Sequence, residues 1–218
     1  MRVTIVAAGI LALAACGGEA PASSNAAGAE QPVAPAPAPR DSCKDIAALA
    51  AAMNETEPFT SLRTGNVMLG DMKVESSFTT DVAPAGATCK MGKMSGFSDD
   101  AGQMHVVNCE LFSSGMLDRE ENDVKAIEAF NRAKAELDKC LPAGWTSRDG
   151  GNDGDETDMS LIYETAADIE REKTSSSYVY PISLGKEWSD GGFGGRMPGW
   201  NVTLNFQKET PKAAEPTQ

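Results

Sequence analysis

The sequence has little of what most enzyme sites are built from. It contains one histidine, His105, and aromatic residues make up only 6% of its 218 residues. A Ser-His-Asp hydrolase would have to use that imidazole, yet the chain has no G-x-S-x-G motif. It also lacks a C-x-x-C pair, which disfavours a zinc site. Its 19 basic residues are outnumbered by 32 acidic ones, which disfavours a nucleic-acid surface. We therefore expect no enzyme, no nucleic-acid partner and no cofactor.

Long apolar runs are also missing. A membrane-spanning helix needs about 20 apolar residues, and the chain has no run of that length. A shorter run over residues 3–15 follows Arg2 and ends in small residues. These proportions are typical of a signal peptide. The segment Leu13-Ala14-Ala15-Cys16 resembles the lipobox of bacterial lipoproteins. The resemblance implies that the Cys16 sulfur carries a diacylglyceryl group, that the chain is cut before Cys16, and that the new amino group is acylated.

The same resemblance implies a location. In the lipoprotein family, an Asp directly after the lipidated Cys commonly retains the protein at the inner membrane. Gly17 occupies that position here, which favours the outer membrane if the source has two membranes. Two or more acyl chains give stable attachment, because each buried methylene contributes about 0.8 kcal/mol. We therefore expect a cell-envelope protein whose contact with the membrane is the lipid on Cys16.

Composition divides the remaining chain into three parts. Residues 17–40 consist mainly of Ala, Pro, Gly and Ser, so segment 16–40 is predicted to be a lipidated, disordered tether. Residues 41–208 have the size of one domain, and 209–218 form a second predicted disordered tail. Without residues 1–15 the chain keeps 18 basic and 32 acidic residues. This excess is compatible with a cationic partner, although solubility alone also explains it.

Hydrophobic periodicity predicts two helices in the domain. The first covers residues 43–53, with Ser42 as its N-cap. The second covers residues 119–139, starts at Asp118, and has an apolar stripe spaced for one helix face. That predicted inner face consists of Val124, Ile127, Phe130, Ala133 and Leu137.

The other apolar segments have the length and alternation of strands. They cover residues 65–69, 72–80, 86–92, 104–112, 159–165, 176–184 and 199–207. In the last one, Val202, Leu204 and Phe206 alternate with polar residues, which places them on the inner face. The predicted fold class is α+β: an antiparallel sheet of about five to seven strands, with two helices packed on one face and two disulfides.

Four cysteines remain after Cys16, and an exported chain meets oxidising conditions, so they are expected to form two disulfides. Cys89 and Cys109 lie symmetrically about a predicted hairpin, while Cys43 opens the first helix and Cys140 closes the second. We favour the pairs Cys43–Cys140 and Cys89–Cys109. The alternative keeps Cys43–Cys89 with Cys109–Cys140.

An acidic loop, DGGNDGDETD, is the first of two candidate functional segments. Calcium takes six to eight oxygen ligands, and closely spaced carboxylates on a Gly-rich loop can supply them. The candidate ligands are Asp149, Asp153, Asp155 and Asp158. The loop partly resembles an EF-hand and the calcium-binding nonapeptide repeat of secreted toxins. It departs from both at key positions, so weak calcium binding is the alternative to a solvated turn.

The second candidate segment is WSDGGFGGRMPGW, from Trp188 to Trp200. Its five glycines and one proline exclude a regular element, while aromatic residues, Arg and Met are frequent at interfaces. One interpretation is a long hairpin loop in which Trp188 and Trp200 pair at the strand ends and cap the core. The other is a recognition loop with Phe193, Arg196 and Met197 at its tip.

Three functional hypotheses follow. The leading one is a non-enzymatic binding or accessory lipoprotein with an inhibitor, immunity-type or envelope-assembly role, acting on an unknown envelope protein or ligand. The second is a weak calcium-binding module that uses the acidic loop. The third is a hydrolase that works with two carboxylates, although no pair stands out among 32 acids. We expect His105 to point inward or to lie at a sheet edge, because Val107, Cys109 and Leu111 share its parity.

Overall fold

In a computed structural model, the described part of the domain contains eight strands and three α-helices. The structure describes residues 41–95, 102–151, 157–175, 178–191 and 198–211, which all belong to one unit, Pro39–Gln218. The helices are α1 Ser42–Ala52, α2 Arg119–Cys140 and α3 Ala166–Glu172. The strands are β1 Arg63–Leu69, β2 Met72–Thr80, β3 Thr88–Ser95, β4 Gln103–Ser113, β5 Trp145–Asp149, β6 Met159–Thr165, β7 Ile182–Ser189 and β8 Gly199–Thr210.

All eight strands join one antiparallel sheet in the order β1-β2-β3-β4-β8-β7-β6-β5. The prediction of five to seven strands and two helices was therefore wrong, although the broad α+β class holds. Strand β5 was missed because it is an exposed edge strand whose residues show no apolar alternation. Helix α3 was missed because it has only seven residues. Thr165 and Asp168 form a capping box at its start. Strand β7 begins at Ile182, six residues later than predicted.

The core lies between one face of the sheet and helices α1 and α2. Val202, Leu204 and Phe206 of β8 are fully buried, which confirms their predicted inward orientation. Val107 and Ile182 lie beside Phe206 on the neighbouring strands. Helix α2 approaches the sheet closely because its buried stripe contains three alanines. That stripe consists of Ala126, Ala129, Phe130, Ala133 and Leu137.

Val124 corrects the predicted inner face of α2. It is 57% exposed, because it lies two residues and about 200° around the helix from the buried Ala126. The apolar pattern placed the larger Val side chain inward, whereas packing against the sheet selects the smaller alanines. Helix α1 has a related correction: Asp41, and not Ser42, is the N-cap, and its carboxylate accepts from the amides of Cys43 and Lys44.

The Ser42 hydroxyl has a different role. It donates to the Glu136 carboxylate and accepts from the amide of Ala85, 2.7 Å away. These bonds connect α1 to α2 and to the 3-10 turn Pro84–Gly86. The start of α1 is therefore held by tertiary hydrogen bonds in addition to its own cap.

The two disulfides are Cys43–Cys140 and Cys89–Cys109, which confirms the favoured pairing. The alternative pairing was wrong, since Cys89 and Cys109 face each other across β3 and β4. The first bond joins residues 97 apart in the chain and the second joins residues 20 apart. In the chain-entropy model, closing these loops stabilises the fold by about 5 and about 3 kcal/mol, respectively.

The second face of the sheet is also covered near β6. Ile162 and Glu164 point away from the core, yet both are buried. The Arg148 guanidinium bonds Glu164 at 2.6 Å and reaches Glu172 of α3 at 2.9 Å. Helix α3 is thereby linked to the outer face of β5 and β6. Within the described ranges, no helix is both long enough and apolar enough to cross a bilayer.

Candidate functional site

Both candidate loops lie at the same end of the sheet, together with the connection between β4 and α2. The backbone amide of Trp188 donates to the Asp158 carboxylate, 3.2 Å away, which joins the acidic loop to the aromatic one. The amide of Trp200 donates to the Ser114 hydroxyl at 2.9 Å. We call this surface the loop rim and define it by its described residues, 114–119, 149–151, 157–158, 188–191 and 198–200.

The Lys186 ammonium lies buried directly beneath the rim. The residue is 2% exposed and its Nζ atom lies 2.6 Å from the Asp123 carboxylate of α2. The same ammonium donates to the carbonyl of Thr157 at 2.7 Å. It also lies 3.7 Å from the centroid of the Trp200 ring, within the range of a cation–π contact. A buried charge is tolerated only when it is paired and hydrogen-bonded, and these three contacts supply that compensation.

Trp188 and Trp200 form a cross-strand pair on β7 and β8. Their rings meet edge to face, with centroids 5.3 Å apart. The Arg119 guanidinium lies over the Trp188 ring at 4.5 Å, and the indole nitrogen of Trp200 donates to the carbonyl of Arg119. This arrangement confirms the strand-end pairing of the two tryptophans. It leaves the recognition role of the loop open, because Phe193, Arg196 and Met197 lie outside the described residues.

Gly199 allows two of the rim loops to touch. It has a φ of +114°, and a Cβ atom there would lie 2.5 Å from the carbonyl oxygens of Ser114 and Gly115. Any larger residue would therefore displace the 114–118 connection from the β7–β8 hairpin. The loops are held by backbone contact as well as by the aromatic cluster, so the base of the rim is preorganised.

The rim carries exposed apolar side chains in the same region. Leu117 is 79% exposed and Met116 is 57% exposed, and both belong to the connection that contacts Gly199. Val124, in the second turn of α2, is exposed as well. Arg119, which lies between them in the chain, is also exposed. The described part of the rim thus combines apolar side chains, a cation and a half-buried Trp188 on a fixed base.

The calcium candidates divide between described and undescribed residues. Asp149 and Asp158 line a cavity of about 400 Å³, in which Lys134 is also a lining residue. Asp149 accepts from the amide of Gly151, and Asp158 accepts from that of Trp188. Asp153 and Asp155 lie outside the described residues. Among those that are described, no group of three or more acids, histidines or cysteines is arranged to hold a metal ion.

His105 points inward, which is one of the two predicted positions, and is 2% exposed. Its Nε2 atom lies 3.2 Å from the hydroxyl of Thr210. Burial lowers the pKa of His105, and the nearby cations Arg63 and Lys93 lower it further, against an opposing effect of Glu57. Glu57 accepts from Lys93 and Arg63, and these hydrogen bonds lower its pKa to about 2. The histidine is therefore a neutral core residue at pH 7.

The comparisons with known proteins found no match: no protein-family model, no curated protein and no solved structure resembles the chain. Sequence reasoning missed Lys186, Asp123 and Arg119 as members of the rim cluster. A signal for Lys186 was present, since Ile182, Leu184 and Lys186 share one parity. The misplaced β7 segment ended at residue 184 and so hid it.

We predict that Lys186→Ala lowers the free energy of unfolding by about 3 kcal/mol, because the change leaves the Asp123 carboxylate without its partner and removes packing under Trp200. Urea denaturation measures this. Lys125→Ala is the matched control: it removes an exposed helix pair with Glu121 and is expected to leave stability nearly unchanged. Equal effects of the two substitutions would show that Lys186 does not organise the rim.

We also predict that stability falls as pH drops from 7.5 to 5. The pKa of His105 is lower in the folded chain than its ordinary 6.5, so the unfolded chain takes up the proton first. The contribution of neutral His105 is complete above pH 6.5 and is lost below it. Urea titrations across this range should show a flatter pH profile for His105→Gln. The effect of Glu57 is confined to pH values below 4.5, so an unchanged profile in His105→Gln contradicts the prediction.

Proposed function

We propose that the chain is a lipid-anchored cell-envelope lipoprotein whose domain is a non-enzymatic binding or accessory module. The observation that carries the proposal is the loop rim. There, Met116, Leu117 and Arg119 are exposed, and Trp188 and Trp200 form a fixed pair. Arg and Trp are the residue types that carry most binding energy at interfaces. An inhibitor, an immunity-type protein and an envelope-assembly factor would all use such a surface.

The anchor is supported by the cysteine assignments. The chain has five cysteines, and four of them are used in the two disulfides. Cys16 is the one left over, and it is the residue that the lipobox resemblance marks for lipidation. The Pro-rich segment after it would reach on the order of 75 Å if fully extended. A domain on such a tether would stand clear of the bilayer, and Gly17 favours the outer membrane where two membranes exist.

Rigidity at the base of the rim supports recognition over a merely solvated loop. Ordering side chains on binding costs free energy, and a preorganised surface avoids part of that cost. The contacts of Lys186, the tryptophan pair and the close approach at Gly199 order this surface before any partner arrives. The tip residues Phe193, Arg196 and Met197 remain a prediction from the sequence.

Cys16→Ser is expected to release the protein from membranes and leave the melting temperature of the domain unchanged. The substitution removes the sulfur that would carry the acyl chains, while the domain keeps both disulfides. Membrane fractionation after signal cleavage measures the release. The matched control is the double substitution Cys89→Ala with Cys109→Ala, which should stay membrane-bound. Recovery of the Cys16→Ser protein in the bilayer fraction would contradict the anchor.

The rim is tested by capture from the native envelope, with quantitative mass spectrometry as the readout. Met116→Ser combined with Leu117→Ser should lose a specific partner that the unchanged chain retains. The control pair, Leu69→Ser with Met72→Ser, changes equally exposed apolar residues on the β1–β2 hairpin. Melting temperatures of both variants should stay close to that of the unchanged chain, because surface substitutions alter stability by less than about 0.5 kcal/mol. Partner loss in the control and retention in the rim variant would move the binding surface away from the rim.

A further inference from the structure

Two cavities lie at the end of the sheet opposite the loop rim. The larger, of about 460 Å³, lies between α1, α3 and the start of β5, and we call it the α1–α3 cavity. The smaller, of about 210 Å³, lies between residues 171–175 and 178–179 on one side and the end of β8 on the other. Arg171 and Lys208 line both cavities. Along β8, Lys208 is eight residues from Trp200, which separates this end from the rim by about 26 Å.

Lys208 supplies a positive charge that is not used elsewhere in the described structure. Its side chain is half-buried, and among the described residues no hydrogen bond or ion pair connects its ammonium to another side chain. Its neighbour in register on β4 is the neutral His105. An ammonium in a partly dehydrated wall gains from an anionic ligand, since charge-assisted hydrogen bonds are roughly twice as strong as neutral ones.

Arg171 supplies the second charge. One of its nitrogens bonds the Asp168 carboxylate at 2.6 Å, and the guanidinium lies 5.3 Å from the centroid of the Tyr178 ring. A guanidinium has five N–H donors, so these contacts still leave donors for a ligand. Asp168 is already committed, because its second oxygen accepts from both the amide and the hydroxyl of Thr165 in the cap of α3. The larger cavity therefore has two cations and one acid in its wall. Its net charge of +1 contrasts with the −13 of the whole chain.

The remaining wall of the α1–α3 cavity is mainly apolar. Its floor along α1 is made of small side chains, which leave room for a ligand, and the Trp145 ring supplies a flat surface. The apolar lining consists of Ala47, Ala50, Ala51, Met53, Pro142, Trp145, Ala167 and Pro181. The volume lies within the range of about 300 to 1,000 Å³ that is typical of small-molecule pockets.

We propose that the α1–α3 cavity binds a small organic monoanion, a carboxylate on an apolar body. The head group lies between Arg171 and Lys208, and the body lies against the alanines of α1 and Trp145. A monoanion matches the single net positive charge of the wall, and an apolar body matches the lining. This site is independent of the loop rim and of the lipid anchor.

Isothermal titration calorimetry with 4-phenylbutyrate tests the proposal, using the full chain with Cys16→Ser so that no acyl group competes. We expect a Kd below about 1 mM for a ligand of this size. The neutral amide 4-phenylbutyramide and the cation 4-phenylbutylamine should bind at least roughly tenfold more weakly, because they lack the charged contact. Acetate and inorganic phosphate should bind weakly or not at all, because they lack the apolar body.

Variants then locate the ligand. Lys208→Gln and Arg171→Gln should each weaken binding by roughly tenfold. Lys134→Gln should have no effect, because Lys134 lines the separate cavity beside Asp149 and Asp158. Ala51→Leu fills the α1–α3 cavity from an exposed position, so it should block binding at an unchanged melting temperature. The indole resonance of Trp145, assigned with Trp145→Phe, should shift on titration. The proposal would be overturned if 4-phenylbutyrate did not bind, or if the neutral amide bound equally well. It would also be overturned if phosphate bound equally well, since the cavity would then hold an adventitious ion only, or if Ala51→Leu left binding unchanged.

Discussion

The buried ammonium of Lys186 is the contact on which the rim end of the domain depends. A cation without water needs an anion and dipoles close to it, so Asp123, the carbonyl of Thr157 and the Trp200 ring must converge on one point. These groups come from α2, from the chain entering β6 and from β8. One charge therefore determines where a helix end, an acidic loop and an aromatic hairpin lie relative to one another.

The two ends of the sheet each contain a lysine, and the surroundings of the two ammonium groups differ. The Lys186 ammonium is buried and paired with the Asp123 carboxylate, so its charge holds the surrounding elements together. Lys208, at the other end, is half-buried in the wall of two cavities and has no such compensation among the described side chains. The difference arises from the acids: Asp123 is directed at Lys186, whereas Asp168 is committed to the cap of α3 and to Arg171.

Much of the fold could be predicted from local patterns in the sequence, and the wrong predictions have identifiable causes. The alternation of Val202, Leu204 and Phe206 predicted the inner face of β8, and the symmetry of the predicted hairpin placed Cys89 opposite Cys109. Val124 was misplaced because hydrophobicity favours large side chains, while the distance between α2 and the sheet favours alanine. The exposed β5 shows no apolar alternation, so no periodicity argument could find it.

Of the site, the Trp188–Trp200 pair could be predicted from the sequence. The contact between Lys186 and Asp123 could not, because it joins two elements that are distant in the chain.

The Cys43–Cys140 disulfide has a mechanical consequence. Cys43 is the second residue of α1, so tension on the chain ahead of Asp41 enters the domain almost directly at this bond. The covalent link passes the load to the end of α2, and the segment 44–139 becomes a closed loop that end-to-end pulling cannot extend. Helices α1 and α2 and the strands β1 to β3 are thereby shielded from force. The load falls on the hydrogen bonds that β5 to β8 make with one another and with β4. A domain built in this way tolerates being pulled by the same end through which an anchor would hold it.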